Sequence, residues 1–170
     1  MLHSQGSEKK QQPWDESIRV PFLLRYPRRL GHAPRTLATL INTPDIMPTL
    51  LGLCGLEPPP SVEGIDFSRA LLDGVEPKVD GALIMCVVPF SQWRRERGGR
   101  EFRGVRTVRH TYVRSLDGPW LLFDNETDPF QMNNLCNRAE HAELQEHLDA
   151  LLWAMLRDRH DEFKPAAHYL

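Results

Sequence analysis

Cysteine is scarce in this chain of 170 residues: Cys54, Cys86 and Cys136 are odd in number and far apart, with no CxxC pair. That spacing excludes a disulfide framework and a cysteine-built zinc site, and the three read as small buried hydrophobes. Long apolar runs are missing as well. The longest, 82–88 and 20–24, fall far short of the roughly 20 residues that a bilayer-spanning helix needs. Neither sign of charge is in excess, since 21 Lys and Arg stand against 23 Asp and Glu for a net charge of −2. This balance gives no electrostatic ground for a nucleic-acid or membrane-surface partner. Met1 to Gly6 carry neither the basic start nor the apolar stretch of a secretory leader, and they assign no compartment. No internal repeat occurs.

The composition present is globular, 41% hydrophobic and 26% charged. Residues 1–16 are polar and loop-like. Residues 18–25 then read as a strand buried on both faces, because Val20, Phe22, Leu23 and Leu24 form a near-continuous apolar run. Pro21 moves that strand towards an edge or a strand start, and Pro27 ends it. A second short strand is expected over 37–41. Asn42-Thr43-Pro44-Asp45 is the clearest helix start, with an N-cap hydroxyl, proline at the first helical position and an acid in the first turn. Ile46, Met47, Leu50, Leu51, Leu53 and Cys54 supply its apolar face, and Gly55 and Pro58 to Pro60 stop it. A short amphipathic piece over 67–72 closes at Gly74, and 73–81 reads as a linker. Beyond it the pattern turns to strands over 82–88, 102–114 and 120–123, with Asp117-Gly118 as a hairpin signal. A long helix over 139–159 carries Leu144, Leu148, Leu151, Leu152 and Met155 on one stripe.

Complete catalytic constellations are not visible in the residues alone. A GxSxG elbow and a phosphate-cradling glycine loop are both missing. Glu143 and His147 sit at i, i+4 and read as a solvated helical face rather than a metal pair. The run Arg94 to Arg100, with Trp93 before it, has the residues to bind anions or single-stranded RNA. Its mixed signs favour a solvated connector. Lys9 and Lys10 precede the Trp14-Asp15-Glu16 cluster, in a polar loop feeding a sheet, where α/β enzymes place ligand-contacting groups.

The stretch from Lys9 to Pro21, including Trp14-Asp15-Glu16-Ser17-Ile18-Arg19-Val20-Pro21, resembles sulfatases of the alkaline-phosphatase-like superfamily just after their metal-binding Asp-His-Gly-Asp motif. Thr43-Pro44-Asp45-Ile46-Met47-Pro48-Thr49-Leu50-Leu51 and Val62-Glu63-Gly64-Ile65-Asp66 are similar to the helix and loop that come next in that family. Gly104 to Thr107, Tyr112 to Arg114 and Leu122 to Leu135 resemble its C-terminal subdomain hairpin. The resemblance implies a truncated α/β, alkaline-phosphatase-like fold. Residues 1–80 would be the end of the α/β sheet domain, and 81–170 a small antiparallel sheet with a C-terminal helix. It also implies a sulfuric ester hydrolase, in which a Cys or Ser of a Cys/Ser-x-Pro-x-Arg motif becomes formylglycine. A divalent cation, usually Ca²⁺, polarises the sulfate, and Lys and His side chains neutralise its oxygens.

Carried over residue by residue, little of that machinery falls on this chain. None of its cysteines or serines starts the modification motif, the Asp-His-Gly-Asp segment is absent, and no metal ligand is expected here. Met1 and Leu2 resemble residues immediately after that segment, so the chain is expected to begin inside a family member. No cation is expected to bind this piece alone. Lys10, five residues before Asp15, matches the sulfate-contacting lysine, and Lys9 is its one-residue register alternative. The opening-loop histidine of the family matches Gln5, with His3 two residues earlier as a substrate-binding candidate. A sulfated small molecule or glycan is the implied partner. Because 1–80 lacks the central strands it would pack on, self-association through exposed core surface is also expected. Two readings stay open beside the sulfatase one. They are a non-catalytic binding or assembly module, and a phosphodiesterase or phosphoglycerol transferase of the same superfamily.

Overall fold

The structure, a computed structural model, describes every residue except Leu2, Ser7 and Lys9. The Lys9 alternative therefore lies outside the described residues. In chain order the elements are α1 (Asp15–Ile18), α2 (Pro27–Leu30), α3 (Ile46–Leu53), α4 (Ser68–Asp73), β1 (Ala82–Cys86), β2 (Phe102–Arg106), β3 (His110–Ser115), β4 (Gly118–Asp124) and α5 (Ala142–Asp158). Among the described residues no helix is long and apolar enough to cross a membrane. Two compact units result: residues 1–21 together with 83–170, and residues 22–82.

The larger unit is built on a sheet of order β1-β2-β3-β4. The 102–114 run is two antiparallel strands, with Phe102 opposite Ser115 and Arg106 opposite Thr111. Thr107 closes the turn between them, its N–H donating to the His110 carbonyl at 2.8 Å while its hydroxyl accepts from the His110 N–H at 2.8 Å. β3 and β4 pair from His110–Asp124 to Ser115–Gly118, with an irregularity at Val113/Arg114. Their turn is the expected Asp117-Gly118 hairpin, and Gly118 takes a φ of 124° that a β-carbon would strain. Period-two alternation then divides the side chains between two clusters. Val105, Tyr112 and Leu122 pack with Leu148, Leu152 and Leu156 of α5, while Phe102, Val113, Leu121 and Phe123 pack with Cys86 and Trp93. The α5 stripe is as its spacing predicts, with Leu156 added, and Glu143 and His147 are exposed on the opposite side. Asp149 anchors the helix to β3, accepting from the Tyr112 hydroxyl at 2.7 Å and from Arg114 Nη1 at 2.8 Å.

In the smaller unit the helix start forms where it is expected, but the cap is the Asn42 side-chain amide rather than a hydroxyl, and Thr43 precedes Pro44 in the first turn. The Asn42 side chain accepts from the Asp45 N–H while the Asn42 N–H donates to Asp45 Oδ2 at 2.7 Å, a reciprocal capping box, and Asn42 Oδ1 also accepts from the Thr43 N–H at 2.8 Å. The buried Asp45 carboxylate also accepts from the Ile65 N–H at 2.8 Å, and the buried Thr49 hydroxyl accepts from the Phe67 N–H at 3.0 Å. The helix and the 62–66 loop are thus one interlocked piece. Gly64 is required by close approach, because a β-carbon there would lie 2.0 Å from the Pro44 carbonyl oxygen.

Three local expectations are overturned. Residues 18–25 form no strand: α1 runs to Ile18 and the chain beyond is unpaired, with Val20, Phe22 and Leu23 exposed, the last at 93%. The 37–41 stretch is likewise irregular. An apolar run specifies burial only when a neighbouring strand supplies ladder partners, and Pro21 removes one donor of its own. Cys54 is exposed rather than buried, because it follows Leu53, the last buried position of α3. Cys86 is buried as expected, and that burial pushes its thiol up to about 11.

Candidate functional site

The loop that carries Lys10 is held to the sheet by residues far away in sequence. Asp15, at the start of α1, receives Arg106 Nε and Nη2 at 2.9 Å each, a two-pronged ion pair in which both side chains are largely buried. The Asp15 N–H donates to Gln131 Oε1 at 2.7 Å, which satisfies a helix-start donor. Gln131 is only 3% exposed, and its Nε2 donates to Asn125 Oδ1 at 2.7 Å and Thr111 Oγ1 at 3.1 Å. On the other side of the loop, Gln5 Nε2 donates to the Phe130 and Gln131 carbonyls at 3.1 and 3.2 Å. Ser17, buried, accepts from the Gln12 N–H through its hydroxyl at 3.2 Å.

Against that frame Lys10 is exposed, and its Nζ donates to the Ser17 carbonyl over a long 3.4 Å. A weakly tethered ammonium on a fixed loop is able to turn towards an anion at small cost. His3 is exposed with φ 69°, and its Nε2 lies 2.9 Å from Glu8 Oε1. The two candidates are not brought to one wall. An open cleft of about 300 Å³ is lined by His3, Gly6, Glu8, Gln12, Gln92 and Arg97, and Lys10 does not line it. Among the described residues no group of three His, Cys, Asp or Glu side chains converges to hold a metal ion.

Gln131, Arg106 and Gln12 were not singled out by sequence reasoning. Arg106 stands 91 residues from its partner, and nothing local marks Gln131 as a buried amide. The expected consequence of Asp15→Asn is a loss of about 1.5–3 kcal/mol, the range for a charged hydrogen bond left unmade. Hydrogen exchange should speed up at the Ser17, Ile18 and Arg19 amides, which bond back to Trp14 and Asp15. Protection there equal to wild type would remove the clamp.

Comparison with known proteins converges on one family. The N-sulphoglucosamine sulphohydrolase C-terminal family matches residues 6–158. An ulvan-active sulfatase of Formosa agariphila is 44% identical over 95% of this chain and 31% of its own length. An endo-4-O-sulfatase of Bacteroides thetaiotaomicron is 32% identical over 95% of this chain and 34% of its own. The chain thus spans about a third of the length of the curated relatives it matches. Among solved structures, a protein in complex with its substrate D-glucosamine-2-N,6-O-disulfate superposes with a TM-score of 0.81 at 24% identity, over 98% of this chain and 33% of that one. The sheet with its covering helix therefore has the fold of the C-terminal portion of these enzymes, and the chain belongs to the sulfatase family.

Proposed function

We propose that this chain is the C-terminal portion of a sulfuric ester hydrolase acting on a sulfated glycan, and that Lys10 contacts the sulfate. The observation that carries the reading is the 44% identity to an ulvan-active sulfatase across almost the whole chain. The geometry supports Lys10 in that role, since its ammonium is exposed on a loop that the Asp15–Arg106 pair and Gln131 hold in place. A sulfate ester gains negative charge on its leaving oxygen as the bond breaks, and a positioned cation stabilises it. His3, paired to Glu8, is a substrate-side group in the same reading. Among the described residues no three ligand side chains converge to form a metal cage, so the divalent cation implied by the family, Ca²⁺, would be held by ligands from elsewhere in the full protein. With no nucleophile motif in its sequence, the isolated chain should show no turnover of an aryl sulfate with Ca²⁺.

A graft tests the assignment. This chain, placed in the ulvan-active relative in exchange for the third it matches, is expected to support sulfate release. Lys10→Ala in the graft should lower kcat/KM by about 10²–10³, the usual cost of removing one charge-stabilising donor. An active graft indifferent to Lys10→Ala would cost Lys10 its role, and an inactive unmodified graft would count against the family activity in this chain.

A further inference from the structure

The Arg94–Arg100 run is not a loose connector. Trp93 is buried, its Nε1 donates to the Arg100 carbonyl at 3.0 Å, and its ring stacks on Trp120 with centroids 6.1 Å apart. Gly98 turns the chain at φ 82°, and a β-carbon on Gly99 would lie 1.6 Å from the Trp93 carbonyl oxygen. The loop is anchored at both ends, so its side chains have defined places.

Its charges are unevenly matched. Of the arginines between positions 94 and 103, Arg94 faces Glu96 at 3.8 Å, Arg95 pairs with the buried Glu101, and Arg103 pairs with Asp161. Arg100 lies over the Trp120 ring at 4.7 Å. Arg97 has no carboxylate partner among the described residues, and Leu2, Ser7 and Lys9 are not acidic. Arg97 is exposed, yet it is not free to wander: Nη1 donates to Gln92 Oε1 at 2.8 Å, and both residues line the cleft. Gln12, in the same wall, is 2% exposed and its Oε1 is buried without a donor. That oxygen is out of reach of a molecule in the cleft, so Gln12 contributes to the wall and makes no contact through Oε1. Glu8, whose Oε1 lies 2.9 Å from His3 Nε2 in the same cleft, offers an acceptor for sugar hydroxyls.

We propose that this cleft binds a saccharide through one oxyanion group, sulfate or carboxylate, with Arg97 as the cationic contact and Gln92 holding its guanidinium. The saccharide part rests on the sulfated-glycan reading above, whereas the oxyanion contact rests on Arg97 and its neighbours. The site is separate from Lys10, which does not line the cleft.

Side-chain NMR of the 170-residue chain tests it, by titration with D-glucosamine-2-N,6-O-disulfate, glucuronic acid and neutral N-acetylglucosamine. The Arg97 Nε and Gln92 amide signals are expected to move with an anionic sugar and to stay with the neutral one. Movement with the disulfate alone assigns a sulfate, and movement with glucuronic acid alone a carboxylate. Arg97→Ala should weaken binding about tenfold or more, the loss of one charge-assisted hydrogen bond. Arg94→Ala, already facing Glu96, should change it by less than about twofold. The proposal is overturned if no anionic sugar moves Arg97, if the neutral sugar binds as well, or if Arg97→Ala binds like wild type. Lys10→Ala should leave the Arg97 response intact. An inactive graft with that response preserved defeats the sulfatase reading alone, and an active graft without it defeats the cleft alone.

Discussion

Arg103→Ala is expected to lower stability by about 3–5 kcal/mol, the cost of breaking a buried ion pair from one side. Arg103 is 1% exposed within β2, and its guanidinium is fully engaged. Nε and Nη2 bond Asp161, Nη1 donates to the Phe102 carbonyl at 3.1 Å, and the Phe163 ring lies 4.9 Å away. Truncation would leave Asp161 without its counter-charge and remove the strap that holds 161–166 to the sheet, where the Ala166 N–H also donates to the buried Glu101 at 2.8 Å. Urea titration should show the loss as a lower midpoint, with a fall in Tm on the order of 10 °C for a chain of this size. A midpoint within about 0.5 kcal/mol of wild type would show the pair to be dispensable.

The same pair sets the sign of the acid response. Burial pushes the Asp161 carboxyl up, but hydrogen bonds from Arg103 and the Phe163 N–H outweigh it and hold the carboxyl below its ordinary value. Glu101 behaves alike, raised by burial and brought lower overall by the Ala166 N–H and Arg95. A carboxyl lowered in the folded state contributes stability that is present above its unfolded value of about 4 and is lost as pH falls through the lower folded value. Wild type should therefore lose stability below about pH 4, and Arg103→Ala should lose less over that window because Asp161 no longer prefers its charged form.

Leu152→Ala should cost about 2–5 kcal/mol, through lost burial and the cavity left behind. Leu152 is fully buried where α5 meets Val105, Tyr112 and Leu122 of the sheet. Its helical neighbour Leu151 is only partly buried, so Leu151→Ala should cost clearly less, and Leu170→Ala, 91% exposed, should be within about 0.5 kcal/mol of wild type. Chemical denaturation of the three variants side by side would check this ranking. Equal losses at 151 and 152 would mean that α5 does not dock as described.

Much of this fold could be read from the chain because its causes are local. The Asn42–Asp45 start of α3, the Asp117-Gly118 hairpin and the α5 stripe depend on residues within a few positions of one another. The candidate site was less legible. Lys10 and His3 were singled out, but the support beneath Lys10 comes from Arg106 and Gln131, about a hundred residues on, and no local pattern reports such partners. Arg97 was hidden for a related reason: in sequence it is one of several arginines in a mixed-sign run, and only pairing in space shows which of them lack a carboxylate.

The amino-acid order alone thus determined α3, α4 and α5, the hairpin, and the resemblance that led to the sulfatase family, because spacing and side-chain type act over short range. Tertiary structure decided whether the apolar run at 18–25 becomes a strand, which cations are neutralised, and what wall His3, Gln12 and Arg97 share. Those outcomes require a second stretch of chain to arrive at bonding distance, and a ladder partner or counter-ion distant in sequence leaves no mark on the residues it will meet.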